Sequence, residues 1–291
     1  MVIGTRARSE GTVAPNGATI HFQVFGEGKR TILLLPTWSI VHSDFWRHQV
    51  PHLVRRYTVV TFDGLGNGRS DRSLDPALYG DRSFAADAVA VLDAVGVETV
   101  VPMSVSQGGC WGLVLAATAP ERIATSVFIA PNVPLSPARP DRAAAFAAFD
   151  ARLDQHEGWF KFNRHYWNED WPGFLQFFFS QCFTESGSEA EIRHFVGMGL
   201  ETTPQVIAAT IDAPGIDGDA TRDLASAVAS PVLVLHGDED AITQAGRGQE
   251  LAGLTGGDFV LLPGSGHEPQ CRNPRRINQL LDGFLDQHFP A

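Results

Sequence analysis

Six short, unbroken apolar runs constrain this chain more than any other feature: TILLL (31–35), TVVTF (58–62), TVVPM (99–103), SVFIA (126–130), PVLVLH (231–236) and DFVLLP (258–263). Runs that are apolar throughout belong to strands buried on both faces, and such strands occur in parallel sheets covered by helices on both sides. The intervening sequence supplies the helices, for example FAADAVAVLDAVG before the third run and GGCWGLVLAATAPERI after it. The order strand, helix, strand predicts an α/β fold built on a mostly parallel, doubly wound sheet. Ahead of the first run, Asn16-Gly17 stands between two β-leaning segments and predicts a tight antiparallel hairpin.

The alternation stops between residues 132 and 230. There Pro-rich NVPLSPARP leads into helical sequence that holds roughly half of the chain's aromatic residues. With 291 residues, one core with an insertion is sufficient. The expected organisation is a first core part over 1–131, a helical cap over 132–230 and a second core part over 231–291. Most of the inserted aromatics are needed for the cap's own core, but some should face a pocket, with Trp159, Trp167 and Phe178 as candidates.

A formal charge of −11 argues against an unassisted nucleic-acid or anionic-membrane surface, since neither releases counterions to an acidic protein. The polar start MVIGTRARSEGTVAPNG lacks a signal-peptide pattern and no later stretch has the length of a membrane span, so a cytoplasmic location is expected. Cys110, Cys182 and Cys271 are too few and scattered for a disulfide framework or a zinc site and read as reduced thiols. His48 and His52 have helical spacing, but Pro51 interrupts them and no acid accompanies them. No metal or cofactor is therefore expected. The expected partner is a hydrophobic small-molecule substrate, and a homodimer is compatible with the sequence.

Chemistry concentrates where TVVPM runs into Ser104-Val105-Ser106-Gln107-Gly108-Gly109 and then into a helix. A nucleophile at the apex of such a strand–turn–helix corner sits on strained backbone and needs small residues two positions before and after it. Ser104 and Gly108 meet that need around Ser106, whereas Ser104 as nucleophile would place Pro102 at the small position. The helix beginning at Gly108 turns its unpaired N–H groups toward Ser106, favouring an anion there.

Serine requires a base held in one tautomer by a carboxylate. His267, in LLPGSGHEPQ after the last apolar run, lies where open α/β sheets gather their sites, and Gly264 and Gly266 let the loop turn inward. The carboxylate should follow the penultimate run, where PVLVLHGDEDAITQ offers Asp238, Glu239 and Asp240; after the preceding run the stretch FIAPN ends in Asn132 instead.

With these parts assembled, the sequence resembles the α/β-hydrolase superfamily over nearly its whole length. The resemblance favours Asp240, through that family's Gly-x-x-Asp pattern, with Asp238 as the fallback. The order Ser106, Asp240, His267 is the family's order. TVVTFDGLGNGRSDR (58–72) is similar to a Gly-rich scaffold turn of the family, and 273–289 to its closing helix. LLLPTWSIVHSDFW is similar to the family's oxyanion loop, which implies an oxyanion hole formed by the Trp38 and Gln107 backbone amides. Pro36 and Thr37 depart from the usual His-Gly, and Thr37 offers a hydroxyl to substrate. The implied activity is hydrolysis of a carboxylic ester or lactone through a Ser106 acyl-enzyme. Carbon–carbon bond hydrolases, hydroxynitrile lyases and acyltransferases use the same three residues, and a non-hydrolytic small-molecule receptor could retain them.

Overall fold

The computed structural model describes residues 5–291. Eight strands form one sheet: β1 (Ser9–Val13), β2 (Ile20–Phe25), β3 (Thr31–Leu34), β4 (Thr58–Phe62), β5 (Val100–Val105), β6 (Ser126–Ile129), β7 (Val232–Gly237) and β8 (Asp258–Leu262). Their order across the sheet is β1-β2-β4-β3-β5-β6-β7-β8. β1–β2 and β2–β4 pair antiparallel, and every other neighbouring pair is parallel. The α/β doubly wound expectation therefore holds, and each of the six apolar runs is a strand. Pro102 stands inside β5, opposite Leu33, so the strand tolerates the missing amide donor there.

The N-terminal hairpin is looser than expected. Residues 14–19 separate β1 from β2, and the turn closes with the Gly17 amide donating to the Ala14 carbonyl. Gly17 has φ of 84°, the left-handed geometry that glycine adopts without a Cβ penalty.

Successive strand residues point to opposite faces, and the two faces build separate cores. Ile32 and Leu34 of β3, Val101 and Met103 of β5 and Leu235 of β7 pack with α1 (Val50–Leu53) and α12 (Pro274–His288). Leu33 of β3, Phe128 of β6 and Val234 of β7 face the other layer. That layer contains α2 (Asp81–Val95), α3 (Gly108–Thr118) and α10 (Ala245–Thr255). All-apolar strands are the direct consequence of having helices on both sides, and β3–β7 follow that expectation. β8 corrects it, because it is an edge strand in which Leu261 is 45% exposed and only Leu262 is buried.

Between β6 and β7 lie α4 (Pro140–Ala147), α5 (Arg164–Glu169), α6 (Trp171–Cys182), α7 (Glu189–Gly199), α8 (Pro204–Ile211) and α9 (Gly218–Ala227). α9 packs against α3 and α10, in the layer that covers the sheet. The others are held by an aromatic cluster in which Trp167, Phe174, Phe179 and Phe195 are buried, continuous with the core on the α12 side of the sheet. Helix ends in the insert are capped locally, with Asn163, Asp170, Thr203 and Asp217 side chains accepting first-turn amides. A four-residue α11 (Pro269–Arg272) precedes α12. No described helix is long and apolar enough to cross a membrane.

Candidate active site

Ser106 follows β5 directly, and its φ of 52° lies in the left-handed region that a β-carbon disfavours. The surroundings hold it there. Its amide donates to the Ile129 carbonyl (3.1 Å), and its own carbonyl accepts from Gly109 and Asn132 (2.9 Å each). A strained residue fixed by three backbone hydrogen bonds is over-determined, the circumstance in which strain persists at functional positions. Ser104, the weighed alternative, is buried and donates to the Val127 carbonyl.

The loop after β3 lies against this corner. A β-carbon on Gly108 would come 2.4 Å from the Pro36 carbonyl oxygen, so only glycine lets the start of α3 approach the loop this closely. Leu35 is fixed on both sides: its amide donates to Met103, and its carbonyl accepts from the Trp46 indole. The Trp38 and Gln107 amides donate to no described acceptor. The side chains of these two residues are tied down independently. The Trp38 indole donates to Thr210 Oγ1 of α8 (2.7 Å), while Gln107 Nε2 donates to Asp81 and its Oε1 accepts from Asn132. Fixed side chains with idle amides suit an electrostatic cradle that need not reorganise when charge develops.

At the ends of the neighbouring strands, His267 Nδ1 and Asp240 Oδ2 are 2.7 Å apart. The other carboxylate oxygen, Oδ1, accepts the Ile242 and Thr243 amides at 2.7 and 2.8 Å. Burial alone would raise the Asp240 pKa, but the two histidines beside it more than offset this and hold the carboxyl well below its ordinary range. Burial likewise opposes a charged His267, yet the Asp240 charge and hydrogen bond shift its pKa upward overall. With an anion at Nδ1, the proton resides there and Nε2 is left as the basic nitrogen. Among the described residues no hydrogen bond joins Ser106 Oγ to His267; such contacts commonly tighten only once substrate is bound. Asp238, the fallback carboxylate, instead accepts the Gly264 amide (2.7 Å) and so shapes the loop carrying His267.

Two anchors place His267. A β-carbon on Gly237, at the end of β7, would come 2.1 Å from the Ser265 carbonyl oxygen, so strand end and loop are in direct backbone contact. The His267 amide donates to the Cys182 carbonyl at the end of α6 (3.0 Å).

A cavity of about 170 Å³ opens beside Ser106, lined by Trp38, Gln107, Arg142, Phe162 and Phe178 among others. Of the four residues expected to contact substrate, Phe178 lines it. Trp167 has no exposed surface and forms the centre of the insert's aromatic cluster, where Phe162 and Phe174 rings pack on it. Trp159 packs on Phe177 and beneath the Arg142 guanidinium. Thr37 is buried, and its hydroxyl has no described partner. The large rings were drawn into packing because a small helical insert has little other apolar surface to bury.

Sequence reasoning gave no site role to three residues. His236 Nε2 lies 3.1 Å from Asp240 Oδ2 and 3.1 Å from the Thr243 carbonyl, giving that carboxylate a second histidine. Asn132 bridges Gln107 to Thr243 and Arg247. Arg142 had a legible signal: with Ala145 and Phe149 it occupies the buried side of α4 and the turn after it, which makes it a cation on an apolar stripe.

Known proteins resemble this chain over much of its length. A RutD protein of Caulobacter vibrioides, named for carbamate hydrolysis, is 28% identical over 281 residues, covering 92% of this chain and 95% of that one. With the RutD protein of Azorhizobium caulinodans the identity is 36%, but the match spans only 38% of that protein's length. The crystal structure of an enol-lactonase from Burkholderia xenovorans LB400 superposes with a TM-score of 0.76 at 20% identity, covering 95% of this chain and all of that one. The family described as alpha/beta hydrolase fold matches residues 30–274. On this match and the eight-stranded sheet, the chain belongs to the alpha/beta hydrolase fold family and is an enzyme of the hydrolase class.

Proposed function

We propose that the protein cleaves a carboxylic ester or lactone of a hydrophobic small molecule by acyl transfer through Ser106. The observation that carries this reading is the Ser106 corner: a non-glycine residue with φ of 52°, locked by three backbone hydrogen bonds at the entrance to α3. Ser106 Oγ attacks the carbonyl carbon while His267 Nε2 takes its proton. Asp240 keeps the imidazole in that tautomer and stabilises the imidazolium that forms. The Trp38 and Gln107 amides receive the oxyanion, and His267 returns the proton to the leaving oxygen. The same base then activates water to release the acid.

In this reading helices α4–α8 act as a cap that closes the pocket. A cavity of about 170 Å³ is close to the roughly 150 Å³ that accommodates benzene in a dry protein core, so an acyl or leaving group about one ring in size fits. The carbamate named for the RutD relative is also a carbonyl compound open to the same attack.

The test is turnover of 4-nitrophenyl acetate by wild type and S106A, together with labelling by a fluorophosphonate. Wild type should turn over and label at Ser106. S106A should keep its fold, fail to label and lose about six orders of magnitude in kcat. Retained turnover in S106A excludes Ser106 as nucleophile, and a wild-type protein that neither turns over nor labels overturns the activated-serine reading.

A further inference from the structure

Arg142 is 7% exposed and forms part of the wall of the Ser106 cavity. A buried guanidinium is costly unless an anion or a full set of acceptors meets it. Here the compensation is partial. Nη1 donates to the Ile242 carbonyl, and the guanidinium carbon lies 4.7 Å above the Trp159 ring centre. Nε is buried without a partner, and Nη2 donates to no described acceptor. No carboxylate lies within ion-pair distance of Arg142 among the described residues; Asp240 and Asp141 act on it only from further away. Burial lowers its pKa to about 10, which still leaves it a cation at neutral pH.

The unengaged Nε–Nη2 edge is the one whose parallel N–H bonds match a carboxylate bidentately. A second cavity of about 290 Å³ adjoins the first, and the two share Gln107, Asn132, Arg142, Phe146 and Ile242. The other charged groups there are more fully engaged. Arg247 donates to Asn132 Oδ1 and the Ser136 carbonyl, and the Asp81 carboxyl accepts from Trp111, Gln107 and Ile216. Arg139 pairs with Asp141 on the surface.

We propose that Arg142 is the anion-recognising residue of this pocket, so that the substrate is a hydrophobic ester or lactone that also carries a carboxylate. This rests on the Ser106 reading for the bond cleaved, but the carboxylate site stands on its own geometry. The aromatic wall takes the apolar body, and the guanidinium edge fixes the charged end and with it the direction in which the carbonyl is presented to Ser106.

The test is binding in the absence of turnover. Benzoate and its uncharged isostere benzamide are titrated calorimetrically into S106A, S106A/R142Q and S106A/R142K at neutral pH. Benzoate should bind S106A more tightly than benzamide by about tenfold or more, the range for a hydrogen bond to a charged group. R142Q should abolish that preference, and R142K, which keeps the charge without the fork, should retain only part of it. Equal binding of the two probes to S106A overturns the proposal. So does a benzoate preference that survives R142Q, because the anion would then sit elsewhere, at the oxyanion amides or at Arg247. If R142Q fails to fold, a full preference in R142K is the overturning result. Failure of the Ser106 reading would be seen separately, in turnover by the serine variant, and would leave these affinities untouched.

Discussion

The sheet's carboxyl edge and the helical insert meet at one pocket but are built on different principles. At the sheet edge, position is set by backbone hydrogen bonds and sub-van-der-Waals tolerances: Ser106 by Ile129, Gly109 and Asn132, and Asp240 by two amides and two histidines. The insert relies on ring against ring, with Trp167 touching Phe149, Phe162, Trp171 and Phe174. Directional bonds hold an atom to within tenths of an ångström, as reaction geometry requires. Apolar packing fixes volume and tolerates rearrangement when volume is kept. The chemistry proposed for Ser106 therefore falls on the rigid edge, and the proposed selectivity in the region that can repack.

Substitutions should separate the two regions, and the largest effect belongs to the edge. D240N should lower kcat by about four orders of magnitude while leaving the fold intact, since the imidazole loses its tautomer control. The acid limb of its kcat/KM profile should also move to lower pH. Asp240 raises the His267 pKa, so its removal keeps the base unprotonated further into acid. An acid limb that stays in place would detach Asp240 from His267. In the insert, W167A should cost about 3–5 kcal/mol of stability in chemical denaturation, as for other buried Trp-to-Ala truncations. A loss within 1 kcal/mol would mean that the aromatic cluster is not the insert's core. The smallest of the three is G108A. Its β-carbon would displace the Pro36 carbonyl and with it the Trp38 amide, lowering kcat by about a hundredfold with little change in KM. A rise in KM alone would place the Pro36–Trp38 loop in substrate binding instead.

The same division explains what could be read from the sequence. All-apolar runs announce sheet strands, so six of the eight strands were visible as runs, with β1 and β2 visible only as a hairpin. The Ser106 corner was visible too, because left-handed backbone between strand and helix demands small neighbours at fixed offsets. The insert was visible only as an interval. Whether a tryptophan faces a pocket or a neighbouring ring depends on helix crossings that no local pattern encodes, and so Phe178 reached the cavity while Trp159 and Trp167 did not. His236 was hidden for another reason. A histidine at a strand end is ambiguous until the strand's pleat decides which face it joins. The looser hairpin around Asn16-Gly17 reflects where the β1–β2 pairing ends, at Val13 opposite Ile20, which leaves residues 14–19 to make the turn.

The hydrogen bond from the His267 amide to the Cys182 carbonyl bears on how such enzymes could be recombined. Exchanging the insert between relatives is an obvious route to new selectivity, and the natural seams would fall in the loops after β6 and before β7. That graft removes the last turn of α6, on which the histidine loop hangs, along with Glu185, whose carboxylate accepts the Gly266 amide. A chimaera that keeps residues 182–185 of the recipient should keep the His267 loop in place, whereas one joined at the ends of the insert keeps it only where the donor supplies an equivalent carbonyl and carboxylate.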